Sequence, residues 1–340
     1  MIEYIETYPL EKFTSLIRIR KGEVKLGERI YYFDDKTDLS ALVKKGVQFV
    51  LLGIPESIGI MANHGKPGAE RSWSSFLKCF LNIQNNRFLE GSRILCLGHL
   101  KVDLLQQKAL EVPKGDNQYI TKLRQLCQSL DQVVAPVIKT LVNSGLVPIV
   151  IGGGHNNSYP IIKGCAEALD TKNGIACLNL DAHADFRPME GRHSGNCFSY
   201  AFYQRYLARY HVMGLHQSYN SESMLKNMDL ESAISYQMME DFDDFDQALD
   251  QALHQLTHSP ERVGLELDMD SIEGMPSSAF TPYGVTIANA RDFVREATKS
   301  LHPLYFHVAE ASIQNISYDQ ATTAKTLACL VTDFIKTWNK

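Results

Sequence analysis

An α/β protein with a mostly parallel sheet is what this 340-residue chain predicts. Three observations lead there. Short apolar, β-rich runs recur along the chain and read as strands buried on both faces. Stretches of helical hydrophobic spacing separate them, and such alternation gives a parallel sheet covered on both sides. No repeat or low-complexity linker divides the sequence, so residues 1–340 read as one domain.

Residues 1–40 come before the first clear run and read as an extension lying loosely across the domain. The runs follow at 47–52, 93–97, 146–151, 175–180, 210–215, 263–267 and 305–309. Between them, 118–144 carries Leu123, Leu126, Leu130, Val133, Val134, Val137, Ile138 and Leu141 at helical spacing. Gly145 then sits where a C-terminal cap belongs. Residues 158–169, 244–257, 286–301 and 318–338 show the same period and are expected to be helices.

Bulk properties narrow the function. A formal net charge of -5 excludes nucleic-acid binding driven by a global basic field. No apolar run has the length of a membrane span, so no membrane role is expected. The seven cysteines are scattered, odd in number and without a CxxC, and no secretory segment opens the chain. A reduced, cytoplasmic protein is the simple expectation.

Ligands of open α/β sheets bind at the carboxyl ends of strands, so the residues just after each run matter most. His155 follows the third run through Gly152-Gly153-Gly154, Asp181-Ala182-His183-Ala184-Asp185 follows the fourth, Asp268-Met269-Asp270 the sixth, and Glu310 the last. An extended 181–185 would point both aspartates and His183 the same way. Such a cluster is costly unless a cation holds it. Two imidazoles and four carboxylates suit two divalent ions sharing bridging carboxylates. Oxygen-rich ligation without thiolate favours manganese over structural zinc. Two close ions can also share a water and make it hydroxide near neutral pH. The triple glycine is not a phosphate loop: no Lys-Ser/Thr follows it, and GxGxxG spacing is absent.

With a GGxH turn at 152–155, a DAHxD box at 181–185 and a DxD box at 268–270, in that order, the sequence resembles the arginase/agmatinase/formimidoylglutamase family, the ureohydrolases. With Val308-Ala309-Glu310, the resemblance covers roughly residues 47–315. It implies a three-layer α/β/α domain around a mostly parallel sheet of about eight strands. It also implies two Mn2+ ions held by His155, Asp181, His183, Asp185, Asp268 and Asp270, and, in common with family members, a trimer or hexamer. Departures from arginase are informative. Gly154 replaces the aspartate of GGDH, Glu266 and Glu273 replace residues of the SxDxDxxDP box, and Phe198 stands where arginase has a histidine. The 194–198 stretch, Asp185-Phe186-Arg187 and the Gly- and Asn-rich 55–69 loop look more like formimidoylglutamases.

The expected reaction is hydrolysis of a linear amidine, N-formimidoyl-L-glutamate, to L-glutamate and formamide by a metal-bridging hydroxide. That substrate carries two carboxylates and one amidinium, so its tail needs a cation. Arg187 is the candidate, and Ser194 and Asn196 are expected at the amino-acid end. Arg192 and Lys66 are further cations that read more simply as surface charges. Asp185 is expected to relay a proton to the leaving nitrogen, Glu310 to pair with the amidinium, and His193 to shuttle protons. His64, His211 and His216 read as packing or surface residues. The rival readings are an agmatinase, guanidino-acid hydrolase or arginase releasing urea, a zinc deacetylase of related fold, and a family member that has lost catalysis.

Overall fold

The computed structural model describes residues 2–313 and 318–338. The last two residues of the 47–315 span lie outside them. Ten strands form one sheet: β1 (Ile5–Glu6), β2 (Tyr31–Tyr32), β3 (Phe49–Gly53), β4 (Ile94–Leu100), β5 (Val147–Ile151), β6 (Ile175–Leu180), β7 (Leu207–Leu215), β8 (Ile234–Met238), β9 (Val263–Asp268) and β10 (Phe306–Ala309). The order is β1-β4-β3-β5-β10-β9-β6-β7-β8, with β2 also on β4, and every pairing is parallel except β1 with β4. Seven of these strands grow from the apolar runs. The eighth long strand, β8, is an edge strand whose side chains are mostly half-buried, so no apolar run marks it.

Alternate side chains divide the core between the two faces. Val50, Leu52, Leu95, Leu97 and Val150 pack with Leu123, Val134 and Ile138 of the helix Tyr119–Asn143. Phe49, Leu51, Ile149, Leu265, Leu267 and Phe306 pack on the other face, with Phe293 of Ile287–Leu301 and Phe334 of Tyr318–Thr337. Helices on both sides of the sheet make three layers. The helices expected at 118–144, 158–169, 244–257, 286–301 and 318–338 form at Tyr119–Asn143, Ser158–Ala168, Phe245–Thr257, Ile287–Leu301 and Tyr318–Thr337. Gly145 takes the left-handed φ of +78° that ends the first of them.

The N-terminal 40 residues are not a loose extension. They supply β1 and β2 to the edge of β4 and bury Ile5, Phe13, Leu26 and Phe33. Two-residue strands carry too little pattern to be read from sequence. No helix of the described residues is long and apolar enough to cross a membrane. For the site, the decisive feature is the order β5-β10-β9-β6. It sets the four motif-bearing strands side by side, so their carboxyl ends share one edge.

Candidate metal centre

The chain leaves β5 through Gly152 and Gly153, both at positive φ (+87° and +76°). A Cβ at Gly152 would lie 2.2 Å from Ser72 Oγ, and one at Gly153 would lie 2.3 Å from Asn157 Nδ2. Glycine is therefore required at both, for conformation and for space. Gly154 is extended, but a Cβ there would meet Asn156 Oδ1 at 2.4 Å and Ile60 Cγ1 at 2.8 Å. The aspartate usual in arginases and agmatinases would force the Asn156 and Ile60 side chains to shift. The buried Glu56 carboxylate, which the sequence reading missed, ties the turn down by accepting from Gly154 N (2.9 Å) and Asn157 Nδ2 (2.7 Å). His155 emerges fully buried in the short turn His155–Asn157.

The 181–185 segment is not extended, contrary to expectation. Asp181 Oδ1 accepts from His183 N (2.7 Å), and Asp185 sits at a φ of +46°. Convergence is achieved by these turns instead of strand alternation. Asn220, just past β7, clamps the bend: its Oδ1 accepts from Ala184 N (2.9 Å) and its Nδ2 donates to Ala182 O (3.0 Å). Asp268 ends β9, and its Oδ1 accepts from Asp270 N (2.8 Å), turning the second carboxylate back toward the first.

These side chains gather in two groups able to hold a cation, and Asp181 belongs to both. In the first, His155 Nδ1 lies 3.1 Å from an Oδ2 of each of Asp181, Asp185 and Asp268. In the second, His183 Nδ1 lies 3.2 Å from Asp270 Oδ2 and 3.7 Å from Asp181 Oδ1. Within each group the candidate ligand atoms lie within 4.8 Å of one another. Both ring nitrogens of His155, and Oδ1 of Asp270, are buried without a hydrogen-bond partner. Buried polar atoms are rarely left so; a divalent cation in each group would satisfy His155 Nδ1 and the Asp270 carboxylate, while Nε2 faces Glu266 at 3.5 Å. The electrostatics agree. Burial pushes the Asp185 carboxyl up to about 6, with Asp181 adding to the push and His155 opposing it. Burial and the Asp270 and Asp181 carboxylates hold Asp268 well above its usual range. Burial raises the shared Asp181 too, but His155 and His183 outweigh it and lower its carboxyl to about 2; a cation in each group would supply such positive charge to the crowded Asp185 and Asp268 as well. The residues present fit a pair of divalent ions with oxygen-rich ligation.

Beside the groups opens a cavity of about 160 Å³, whose lining includes His183, Asp185, Asp268, Asp270 and Glu310 and also Arg187, Ser194 and Asn63. Arg187 Nη1 donates to Asn63 Oδ1 (2.9 Å), and Asn63 Nδ2 donates to Ser194 Oγ (3.3 Å). Glu310 sits at a φ of +61°; its Oε1 accepts from His155 N (2.9 Å) and its Oε2 from Ser278 Oγ (2.8 Å). Burial pushes its carboxyl up to about 8. Tyr219 also lines the cavity and stacks on His183 at 5.5 Å and on His216 at 4.7 Å.

Two expected site residues are placed elsewhere. His193 is buried and does not line the cavity; its Nδ1 accepts from Gly195 N (3.1 Å) and its Nε2 lies 3.3 Å from Glu190. Burial, with Arg124 and Arg187 adding, lowers it to about 4, and the ring is held within its own loop, away from the cavity. Asn196 is likewise spent on its own loop: Oδ1 accepts from His193 N (3.1 Å) and Nδ2 donates to Gly191 O (2.7 Å). Arg192 is no surface charge. It is buried, pairs with Asp131 (3.0 Å) and donates to Asn156 O (2.6 Å), bracing the His155 turn. Lys66 is exposed and lies outside the cavity. Phe198 packs edge-on against the His155 ring at 5.2 Å, so the arginase histidine position serves packing here. The sequence reading missed Tyr219, Asn220 and Asn63. Tyr219 and Asn220 follow the end of β7, which is the signal that could have found them; Asn63 caps the short helix Ile58–Ala62.

Comparison with known proteins adds an independent line. The family model for the arginase family matches residues 47–336. A formimidoylglutamase of Streptococcus pyogenes serotype M3 is 28% identical over 265 residues, covering 74% of this chain and 74% of the relative. Among solved structures, Trypanosoma cruzi formiminoglutamase with manganese superposes with a TM-score of 0.68 at 17% identity, covering 91% of this chain and 98% of the other. The formimidoylglutamase of Bacillus subtilis gives 0.67 at 16% identity, covering 92% of each chain. At such identities the superpositions establish the three-layer α/β/α fold.

Proposed function

The chain belongs to the arginase family, and from that premise we propose that it hydrolyses N-formimidoyl-L-glutamate to L-glutamate and formamide with two manganese ions. The observation that carries this reading is a single cavity lined both by carboxylates and by an arginine. Asp185, Asp270 and Glu310 suit an amidinium. Arg187, bonded to Asn63, suits a carboxylate. An agmatine-type dication would have an arginine facing its free amine. The S. pyogenes relative supports the same substrate.

His155, Asp181, Asp185 and Asp268 would hold one ion, and Asp181, His183 and Asp270 the other, with Asp181 shared. When bound, such a pair supplies an activated water at neutral pH and polarises the amidine. Glu310 orients the substrate by accepting N–H bonds from the amidinium, while Ser278 and the His155 amide hold its carboxyl in place. Arg187 and Ser194 anchor the glutamate end, which sets the amidine carbon over the carboxylate groups. Asp185, on the cavity wall, carries the proton from water to the leaving nitrogen. The bond broken joins the formimidoyl carbon to the glutamate nitrogen, and water supplies the oxygen of formamide and the protons. All seven cysteines are free thiols, which supports a reducing, cytoplasmic setting.

A product assay tests the proposal. Manganese-loaded protein is offered formimidoylglutamate, arginine, agmatine and guanidinobutyrate separately, and formamide and urea are measured. Formamide from the first alone is expected; urea from any of the others would overturn the assignment.

A further inference from the structure

Behind the candidate centre lies a buried polar cluster that the reaction does not touch. Glu266 is fully buried inside β9, where the family box has a serine. A strand-interior carboxylate without solvent is costly unless its oxygens are hydrogen-bonded, and here they are. Tyr305 Oη donates to Oε1 (2.7 Å), and Ser158 Oγ donates to Oε2 (3.0 Å). His307 Nδ1 lies 2.7 Å from Oε2, within hydrogen-bond distance. His307 stands directly opposite Glu266 in the β9–β10 register. Even the neighbouring glycine belongs to the arrangement: a Cβ at Gly264 would lie 2.2 Å from the Tyr305 ring. Four positions around Glu266 are thus shaped to hold its carboxyl group in the core.

That carboxylate lies 3.5 Å from His155 Nε2, while His155 Nδ1 faces the three aspartate oxygens. With a cation among the three aspartate oxygens, Nδ1 would be its ligand and the one ring proton would sit on Nε2, facing Glu266. We propose that Glu266, braced by His307, Tyr305 and Ser158, is a positioning residue for His155: it fixes the ring and its tautomer, and so strengthens retention of a divalent cation in the His155 group specifically. Among the described residues, the second group, centred on His183, has no such carboxylate behind it and would not depend on Glu266. The inference rests on the reading of the two groups as cation sites.

The test is a Mn2+ titration of the metal-free protein, with bound metal counted after gel filtration, in wild type, Glu266→Gln and His307→Asn. Wild type is expected to bind two ions. Glu266→Gln is expected to keep one step unchanged and weaken the other about 10–100-fold, the range for lost outer partners of a metal-bound histidine. His307→Asn should weaken the same step by less. Two unchanged steps in Glu266→Gln would overturn the proposal. So would equal weakening of both steps, which would mark a merely structural role. If Glu266→Gln does not fold, Tyr305→Phe, which removes only the bond to Oε1, decides by the same criterion. Wild type that binds no manganese would instead sink the underlying cation-site reading, whatever the variants do.

Discussion

Arg187→Ala is the most informative single change for the substrate assignment. Arg187 lines the cavity, donates to Asn63 Oδ1 at 2.9 Å and lies 3.6 Å from Glu190, with its side chain 49% exposed. A charge-assisted contact to a substrate carboxylate is worth ~1.5–3 kcal/mol when well enclosed. Half exposure and the standing contact with Glu190 reduce that to about 1–2 kcal/mol. The expected loss in kcat/KM is therefore roughly 5–30-fold. Because Arg187 is assigned to the carboxylate tail and not to the reacting carbon, the loss should fall mainly on KM. Arg187→Lys keeps the charge without the two-pronged fork and should recover only part of it. The assay is steady-state formamide release, with a carboxylate-free N-alkylformamidine as control. Wild type and variant should handle the control alike. An unchanged KM for formimidoylglutamate, or a loss confined to kcat, would refute the anchoring role.

Other expectations follow from the packing and the charges. Gly154→Asp, which restores the common family residue, should destabilise the protein by about 1–3 kcal/mol from overpacking alone. The cause is the Cβ contact at 2.4 Å with Asn156, and a lowered melting temperature checks it; unchanged stability would mean the turn is pliable. His211 is buried, bonded to Ser235 and Gln237, and lowered by burial to about 4. Above pH 6.5 it is neutral whether folded or not. As pH falls from 6.5 to 4 the unfolded chain takes up a proton that the folded chain refuses, which costs about 3 kcal/mol of stability. His211→Gln should flatten that limb in urea unfolding at a series of pH values, and an identical slope would contradict it. Stripping divalent ions with a chelator should lower the melting temperature, since saturating ions at 100 times Kd contribute about 2.7 kcal/mol per site. A protein indifferent to the chelator would argue against both cation groups.

Much of this architecture was legible from the chain, for physical reasons. Strands buried on both faces must be continuously apolar, so seven of them announced themselves, and the long helix advertised its period from Leu123 to Leu141. The gathering of His155, Asp181, His183, Asp185, Asp268 and Asp270 was also legible, because carboxyl ends of parallel strands share one edge. What escaped depends on tertiary placement. An exposed-looking arginine, Arg192, finds Asp131 from a helix far away in sequence and is buried by it. The histidine nearest the DAHxD box in sequence, His193, turns away because its loop spends both ring nitrogens on Gly195 and Glu190. The edge strands β1, β2 and β8 are too short or too wet to leave a pattern. Glu266 read as a mere departure until its partners on β10 were in view.

The central claim is that two cations sharing Asp181 sit at the β5-β10-β9-β6 edge. Anomalous diffraction at the manganese edge, from crystals of the manganese-loaded protein, tests it most directly. The account predicts two peaks, one among His155, Asp181, Asp185 and Asp268 and one among Asp181, His183 and Asp270, about 3.5–4 Å apart as in two-metal hydrolases. A single peak, or two peaks that do not share Asp181, would contradict it.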